Sequence, residues 1–507
     1  MGKVLSAARR HAAGHPFLIL FALCVSAAFI FDFSANTYTT LFWVVFAASF
    51  AVLIVLALFW KKTGRLTENK VFFLLTAASF LLKLGYVLYT GLSVRQHDTG
   101  SFKESSKSHA GYIYNLYSSY RLPDSARGQY YHPPLHYILE AAWLRAQTFL
   151  GVAFDAAKSN VTALTLFYSC SAGVISYKIF KELGIKGSSL AASYSLVAFH
   201  PTFIILAASY NNDILSITFL LAALLFLFRW WKSPTYYNII CLALCAGLGT
   251  AAKLSASYVL AAVAAIFMLR FFTEKRKARV IGQFAAFGVV AAPLGLFWSV
   301  WLKVKYGLKF GYVMKLAEDS KQFVGFRTAG ERLFDVFAGV SQGIYFARGS
   351  DFGNAFHEYN LLSAILKTSV FGEWHIGEGF RLTESLALIL FILNAVLILF
   401  SVFCMVYIFI KRKKGPSRIL TDALIVLYFT IMAAYIGFCF SFPHDCTMDF
   451  RYITPTLIIG AAFIGLFLNG ESASKRASYF KKISFYVIIA FCACAFGLFL
   501  LSNYAAN

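Results

Sequence analysis

The chain has 507 residues, of which 59% are hydrophobic, 18% aromatic and only 14% charged, with a formal net charge of +23. A soluble basic protein carries about a quarter charged residues and would suggest a nucleic-acid partner; 14% is too little to coat a soluble surface, so nucleic acid does not account for the charge. The mean hydropathy is +0.67, and apolar runs of about 20 residues, enough to cross the ~30 Å hydrocarbon core as a helix, recur along the whole length.

The expected fold is all-α and polytopic, with about thirteen transmembrane helices. In chain order they fall near residues 16–34, 39–60, 71–92, 160–180, 187–209, 213–231, 237–252, 254–272, 279–302, 383–410, 418–440, 451–469 and 483–503. The basic N-terminal stretch and first apolar run are read as a retained helix, since no small-residue cleavage site precedes the second span. Short basic connections then fall on one side: Lys3, Arg9 and Arg10; Lys61, Lys62 and Arg65; Lys275, Arg276 and Lys277; Lys411 to Lys414; and Lys475, Arg476, Lys481 and Lys482. By the positive-inside rule that side is cytoplasmic, which places the N-terminus inside and makes the +23 a topology signal. The chain divides into two N-terminal helices (1–70), a transmembrane core with an outer loop at 93–159 (71–302), a second large outer loop (303–382) and C-terminal helices (383–507). Most cysteines sit inside apolar runs, where a thiol behaves as a small hydrophobe, and they form no disulfide or zinc framework.

The two outer loops hold His97, His109, His132, His136, His357 and His375 and many of the carboxylates, as expected of loops that carry chemistry. Asp98 follows directly on the third span. His109 to Tyr120 places Ile113, Leu116, Tyr117 and Tyr120 on one side at helical spacing, which predicts a helix lying in the interface. Pro133 and Pro134 suit the first turn of a second helix, and that helix carries Glu140 and Arg145, which favours its lying flat over its spanning.

An Asp just beyond a span, an interfacial helix and the run Tyr131-His132-Pro133-Pro134-Leu135 resemble the first outer loop of GT-C class glycosyltransferases, the group of protein O-mannosyltransferases and of aminoarabinose transferases acting on lipid A. Further segments resemble the family in the same order: His200-Pro201 with Asn211-Asn212-Asp213, Gly247-Leu248-Gly249 with Lys253, Leu366 to Glu373, and Met448-Asp449-Phe450-Arg451-Tyr452-Ile453-Thr454-Pro455. The likeness to bacterial members spans about residues 75 to 460. It implies an inverting glycosyltransferase of the plasma membrane that moves a sugar from a polyprenyl-phosphate donor to an acceptor hydroxyl on the outer face. The acceptor is a glycan, lipid or protein; the globular insertion of eukaryotic mannosyltransferases is missing, which weighs against protein. A lipid-linked glycan ligase or polymerase and a lipid or glycan flippase are the competing functions.

Such transfer needs a base near the acceptor hydroxyl and a cationic site for the departing phosphate. Asp98 matches the family's first-loop Asp and is the candidate base, with pairing to Arg95 as the structural alternative. Asp213 is the second catalytic candidate, with helix capping as its alternative. Lys253 and Arg451 are candidates for holding the phosphate, Arg451 in a bidentate fork, or else serve as snorkelling anchors. The resemblance puts Tyr131 and His132 against the donor phosphate or sugar. His97, Tyr359, Glu373 and Trp374 are candidates for acceptor or sugar contacts, through stacking and hydroxyl hydrogen bonds. His132, His136 and Glu140 would share one helix face, a spacing that permits a divalent metal ion as cofactor.

Overall fold

A computed structural model describes residues 16–31, 33, 40–91, 98–348, 356–376, 381–411, 416–471 and 474–501. Three helices open the chain, α1 (Pro16–Phe31), α2 (Thr40–Lys62) and α3 (Glu68–Tyr89). The first long loop folds into α4 (His109–Ser119), α5 (Leu135–Phe149) and the short α6 (Phe154–Ser159). The bundle resumes with α7 (Thr162–Glu182), α8 (Gly187–Ala198), α9 (Pro201–Ala207), α10 (Asp213–Lys232), α11 (Tyr236–Ala252), α12 (Val259–Thr273) and α13 (Lys277–Tyr306). The second loop contributes α14 (Ala329–Phe334), α15 (Val336–Ser341) and α16 (Leu361–Phe371), and α17 (Arg381–Lys411), α18 (Pro416–Ser441), α19 (Pro455–Asn469) and α20 (Lys475–Leu501) complete the bundle. Among the described residues β-structure is limited to an isolated bridge between Phe323 and His444.

Among the described residues nine helices are long and apolar enough to cross a membrane, or up to eleven when each of two bent pairs is one span. Of the thirteen segments expected, two form shorter apolar helices, α1 with 16 residues and α11 with 17. The bent pairs are α8 with α9, at 47°, and residues 445–453 with α19, at 44°. Pro201 opens α9 and Pro455 opens α19; proline has no amide hydrogen to continue the preceding helix and fits a first turn. This is a multi-pass membrane protein.

Burial divides the helices by role. α7 is enclosed along nearly its whole length by α1, α3, α8, α9 and α10. On α2, Val52, Ile54, Val55, Leu58 and Phe59 are exposed, as are Leu388, Ile389, Ile392 and Leu399 on α17. Exposed apolar side chains at this density suit contact with hydrocarbon, which solvates them at no cost.

The first loop packs around its own hydrophobic cluster, in which Tyr112, Ile113, Tyr137, Leu144 and Val161 are fully buried. Ser108 caps α4 by accepting the Gly111 amide. Of the predicted stripe, Ile113 and Leu116 are buried, whereas Tyr120 is 77% exposed, because α4 ends there with Tyr120 in a left-handed turn (φ 59°). Arg145 on α5 donates to the Tyr117 carbonyl at 3.0 Å and also bonds that of Leu116. Arg145 therefore closes the carboxyl end of α4, whose carbonyls lack intrahelical partners.

Candidate active site

Asp98 is exposed and adopts φ 50°, a left-handed conformation that Asp tolerates better than most residues. Its carbonyl accepts the His109 amide at 3.2 Å, and the Thr99 carbonyl accepts that of Ala110 at 3.0 Å. These bonds satisfy amides of the first turn of α4 and fix Asp98 against the helix start. Gly100 (φ 61°) completes the turn so close to Ser108 that a Cβ there would run into the Ser108 side chain; only glycine fits.

Residues 128–131 form one turn of 3₁₀ helix, and the Tyr131 carbonyl accepts the Trp298 indole of α13 at 2.7 Å. His132 is extended (φ −67°, ψ 147°), as a residue before proline must be, so α5 begins only at Leu135.

Opposite lies an ion pair between Asp213, the first residue of α10, and Lys253, just beyond α11. The Asn211 side chain accepts the Asp213 amide at 3.1 Å, and Asn212 donates to the Ala252 carbonyl at 2.6 Å. The two asparagines thus fasten the helix ends that carry the pair, and the Asp213 carboxylate faces Lys253 instead of capping its helix. Asp449 accepts the Arg451 amide at 2.7 Å, and its other oxygen lies 3.9 Å from the Arg451 Nε. Arg451 donates to the Tyr452 hydroxyl at 3.1 Å, and the Tyr452 ring lies 5.0 Å from that guanidinium and 4.9 Å from the Lys253 ammonium. The ring sits between two cations and draws both toward one place.

The second loop supplies a further wall. Gly372 (φ 62°) turns the chain after α16, Glu373 pairs with Arg348, and the Arg348 guanidinium lies 4.8 Å from the Trp374 ring centre. Val324 donates to the Pro443 carbonyl at 2.9 Å and Asp445 to that of Gln322 at 2.8 Å, which straps this loop to the segment bearing Arg451.

These parts enclose a cavity of about 350 Å³. Asp98, Tyr131, His132, Asp213, Lys253 and Arg451 line it together with Glu373 and Trp374, and Phe438 of α18 and Phe442 just beyond it add an apolar flank. The cavity lies where α10 begins and α11 ends, the end of the bundle away from Lys232 and Tyr236. Burial holds the His132 imidazole well below its ordinary value, and the Lys253 charge pushes it further down. The Tyr131 phenol is raised, by burial first and then by the Asp98 carboxylate, with Arg451 opposing. Burial lowers the Lys253 ammonium while Asp213 works against the shift.

Several predicted residues lie elsewhere. Tyr359 is buried and donates to Asp335 at 2.6 Å, away from the cavity lining. His97, like Arg95, lies outside the described residues. The expected metal face of His132, His136 and Glu140 does not form, because Pro133 and Pro134 keep His132 off α5. His136 instead bonds the Tyr210 carbonyl at 3.0 Å, with Nδ1 3.7 Å from Glu140, and both side chains are fully buried. Among the described residues no three His, Cys, Asp or Glu side chains gather as a metal site. Of the carboxylates lining the cavity, Asp213 faces Lys253 and Glu373 faces Arg348, so these two already oppose cations and are poor candidates for a metal's free anionic donors. His109, Arg348 and Tyr452 also line the cavity. The sequence signal for His109 was slight: it is the residue after the Ser108 cap, where a side chain at the helix start faces whatever the preceding turn presents.

No family model matches the chain, and no curated protein does. Among solved structures it is similar to the archaeal oligosaccharyltransferase AglB from Archaeoglobus fulgidus in complex with an inhibitory peptide and a dolichol-phosphate, at TM-score 0.49 and 13% identity over 85% of this chain. An apo form of the Archaeoglobus fulgidus oligosaccharyltransferase gives TM-score 0.47 at 13% identity over the same share. This chain spans only 56% of each oligosaccharyltransferase chain. ArnT from Cupriavidus metallidurans, in the apo state, is similar at TM-score 0.38 and 11% identity, over 85% of this chain and 77% of that one.

Proposed function

We propose that this chain is a GT-C class inverting glycosyltransferase that moves a sugar from a polyprenyl-phosphate donor to an acceptor hydroxyl. It works at the outer face of the plasma membrane. The observation that carries the reading is one cavity lined by the Asp98 carboxylate and by the Lys253 and Arg451 cations around Tyr452. The order of the sequence motifs supports it. So does the topology expected from the basic connections, since outer loops have no access to cytoplasmic nucleotide sugars and a lipid in the bilayer is the available sugar source.

In this reading Asp98 takes the proton of the acceptor hydroxyl while that hydroxyl oxygen bonds to the anomeric carbon. The bond from that carbon to the phosphate oxygen breaks with its electron pair on the oxygen, and the phosphate departs toward Lys253 and Arg451. Attack opposite the leaving group inverts the anomeric centre. Asp213 orients Lys253, and Tyr131, His132, Glu373 and Trp374 flank the sugar.

The test is to incubate purified protein in lipid with polyprenyl-phosphate monosaccharides and, separately, with a polyprenyl-diphosphate oligosaccharide. Consumption of a monophosphate donor supports the proposal. Consumption of the oligosaccharide donor alone would favour a ligase or polymerase, to which the second-loop wall of the cavity also lends itself. Movement of either lipid between leaflets with no consumption would mark a flippase.

A further inference from the structure

His109 is buried at the start of α4, lines the cavity, and is used by no step above. Its Nδ1 lies 2.7 Å from the Tyr137 hydroxyl, with the two rings nearly parallel at 14°. Tyr137 is itself fully buried and stacks on Tyr112 at 4.1 Å, so its hydroxyl cannot turn to water. Among the described residues that hydroxyl has no other hydrogen-bond partner. A buried phenol must donate its proton to something, and among the described residues the acceptor within reach is Nδ1. A neutral imidazole that accepts at Nδ1 carries its hydrogen on Nε2, and Nε2 has no partner of its own among the described residues.

Neutrality follows from the surroundings. Burial lowers the imidazole's proton affinity, the neighbouring Arg451 lowers it further, and Asp213 and Lys253 lie near enough to act on it with opposite signs. His109 thus sits beside the same charged groups that face the departing phosphate.

Resting on the donor proposed above, we infer that His109 is a further donor-binding residue: Tyr137 locks its tautomer so that the neutral Nε2–H donates to an oxygen of the lipid-linked phosphate. A neutral donor has a specific advantage here. Lys253 and Arg451 already face Asp213 and Asp449, and a third cation would repel them, whereas an N–H adds a hydrogen bond with no added charge. A hydrogen bond to a charged group, once lost, weakens binding by about tenfold or more.

The experiment measures binding of sugar-free polyprenyl phosphate and of the uncharged polyprenol to protein in lipid nanodiscs. Wild-type protein should prefer the phosphate; no preference would overturn the donor reading itself. Given that preference, His109→Ala should lose about tenfold in phosphate affinity with polyprenol binding unchanged, and His109→Gln, whose amide N–H occupies the place of Nε2–H, should stay within about threefold. Equal phosphate binding by His109→Ala and wild type would overturn the role of His109 and leave the donor reading standing. In a readout that needs no ligand and no variant, ¹⁵N-histidine spectra should show His109 with hydrogen on Nε2. Hydrogen on Nδ1 would overturn the tautomer lock, and Tyr137→Phe, which keeps the ring packing, should allow both tautomers.

Discussion

Two buried lysine and carboxylate pairs share their chemistry and differ in their access. Lys367 and Glu358, 2.7 Å apart in the second loop, are fully enclosed; Lys367 also donates to the Gly339 carbonyl at 2.8 Å and Ser363 donates to Glu358. Lys253 and Asp213 face the cavity, and the lysine side chain keeps 12% of its surface open. A sealed pair can only hold chain together, because each charge depends on the other for its solvation. A pair open to a cavity can turn one member toward an incoming anion while the other keeps it oriented. His136 with Glu140 belongs to the sealed kind and Arg451 with Asp449 to the open kind.

The contrast is broken most severely by Lys367→Met, which leaves Glu358 charged and enclosed. Loss of about 3–5 kcal/mol of stability is expected, seen as a collapse of the thermal unfolding midpoint. Lys367→Met with Glu358→Gln should recover most of the stability and all of the transfer activity. Next in size is a pH effect on the sealed His136. Burial holds its imidazole at about 4 in the fold, against about 6.5 in the unfolded chain. The unfolded state then binds more protons between these values, so stability contributed by His136 is full above pH 6.5 and falls as pH drops toward 4, by at most about 3 kcal/mol. Burial raises the Glu140 carboxyl and acts in the opposite sense, so Glu140→Gln isolates the histidine; its unfolding midpoint should fall between pH 6.5 and 4, and a flat profile would count against the assignment.

On the open side, Lys253→Met should slow transfer by about a hundredfold. Adding Asp213→Asn should leave the unfolding midpoint near that of wild type, as in the sealed pair, but without restoring transfer, unlike the sealed pair. Arg451→Lys keeps the charge and loses the fork, and about a tenfold loss in donor affinity is expected. Smallest is Tyr359→Phe: losing the bond to Asp335 should cost about 1 kcal/mol or less and leave transfer kinetics unchanged.

The bundle was readable in the sequence because a 20-residue apolar run has few alternatives to a helix, and each of the segments expected holds helix among the described residues. Span count was less readable, since Pro201 and Pro455 bend helices that hydropathy runs together. Within the site, Asp98, Lys253 and Arg451 stood out as charged residues at span ends, and they line one cavity. The i to i+4 spacing of His132, His136 and Glu140 misled, because two prolines delay the start of α5 and move His132 to the cavity while the other two stay in the loop's core. Tyr359 misled because an aromatic beside a carboxylate reads alike whether it faces a sugar or, as here, Asp335. Pairing within the second loop, such as Lys367 with Glu358 or Arg348 with Glu373, has no local periodicity and could not be read at all.

The most direct measurement compares wild-type and Asp98→Asn protein in the same reconstituted membranes, supplied with a polyprenyl-phosphate sugar and a hydroxyl acceptor, with the anomeric configuration of the product read by NMR. The account predicts an inverted product from wild type, a loss of about a thousandfold in Asp98→Asn and the same unfolding midpoint in both. Transfer by Asp98→Asn at the wild-type rate, or a product of retained configuration, would contradict it.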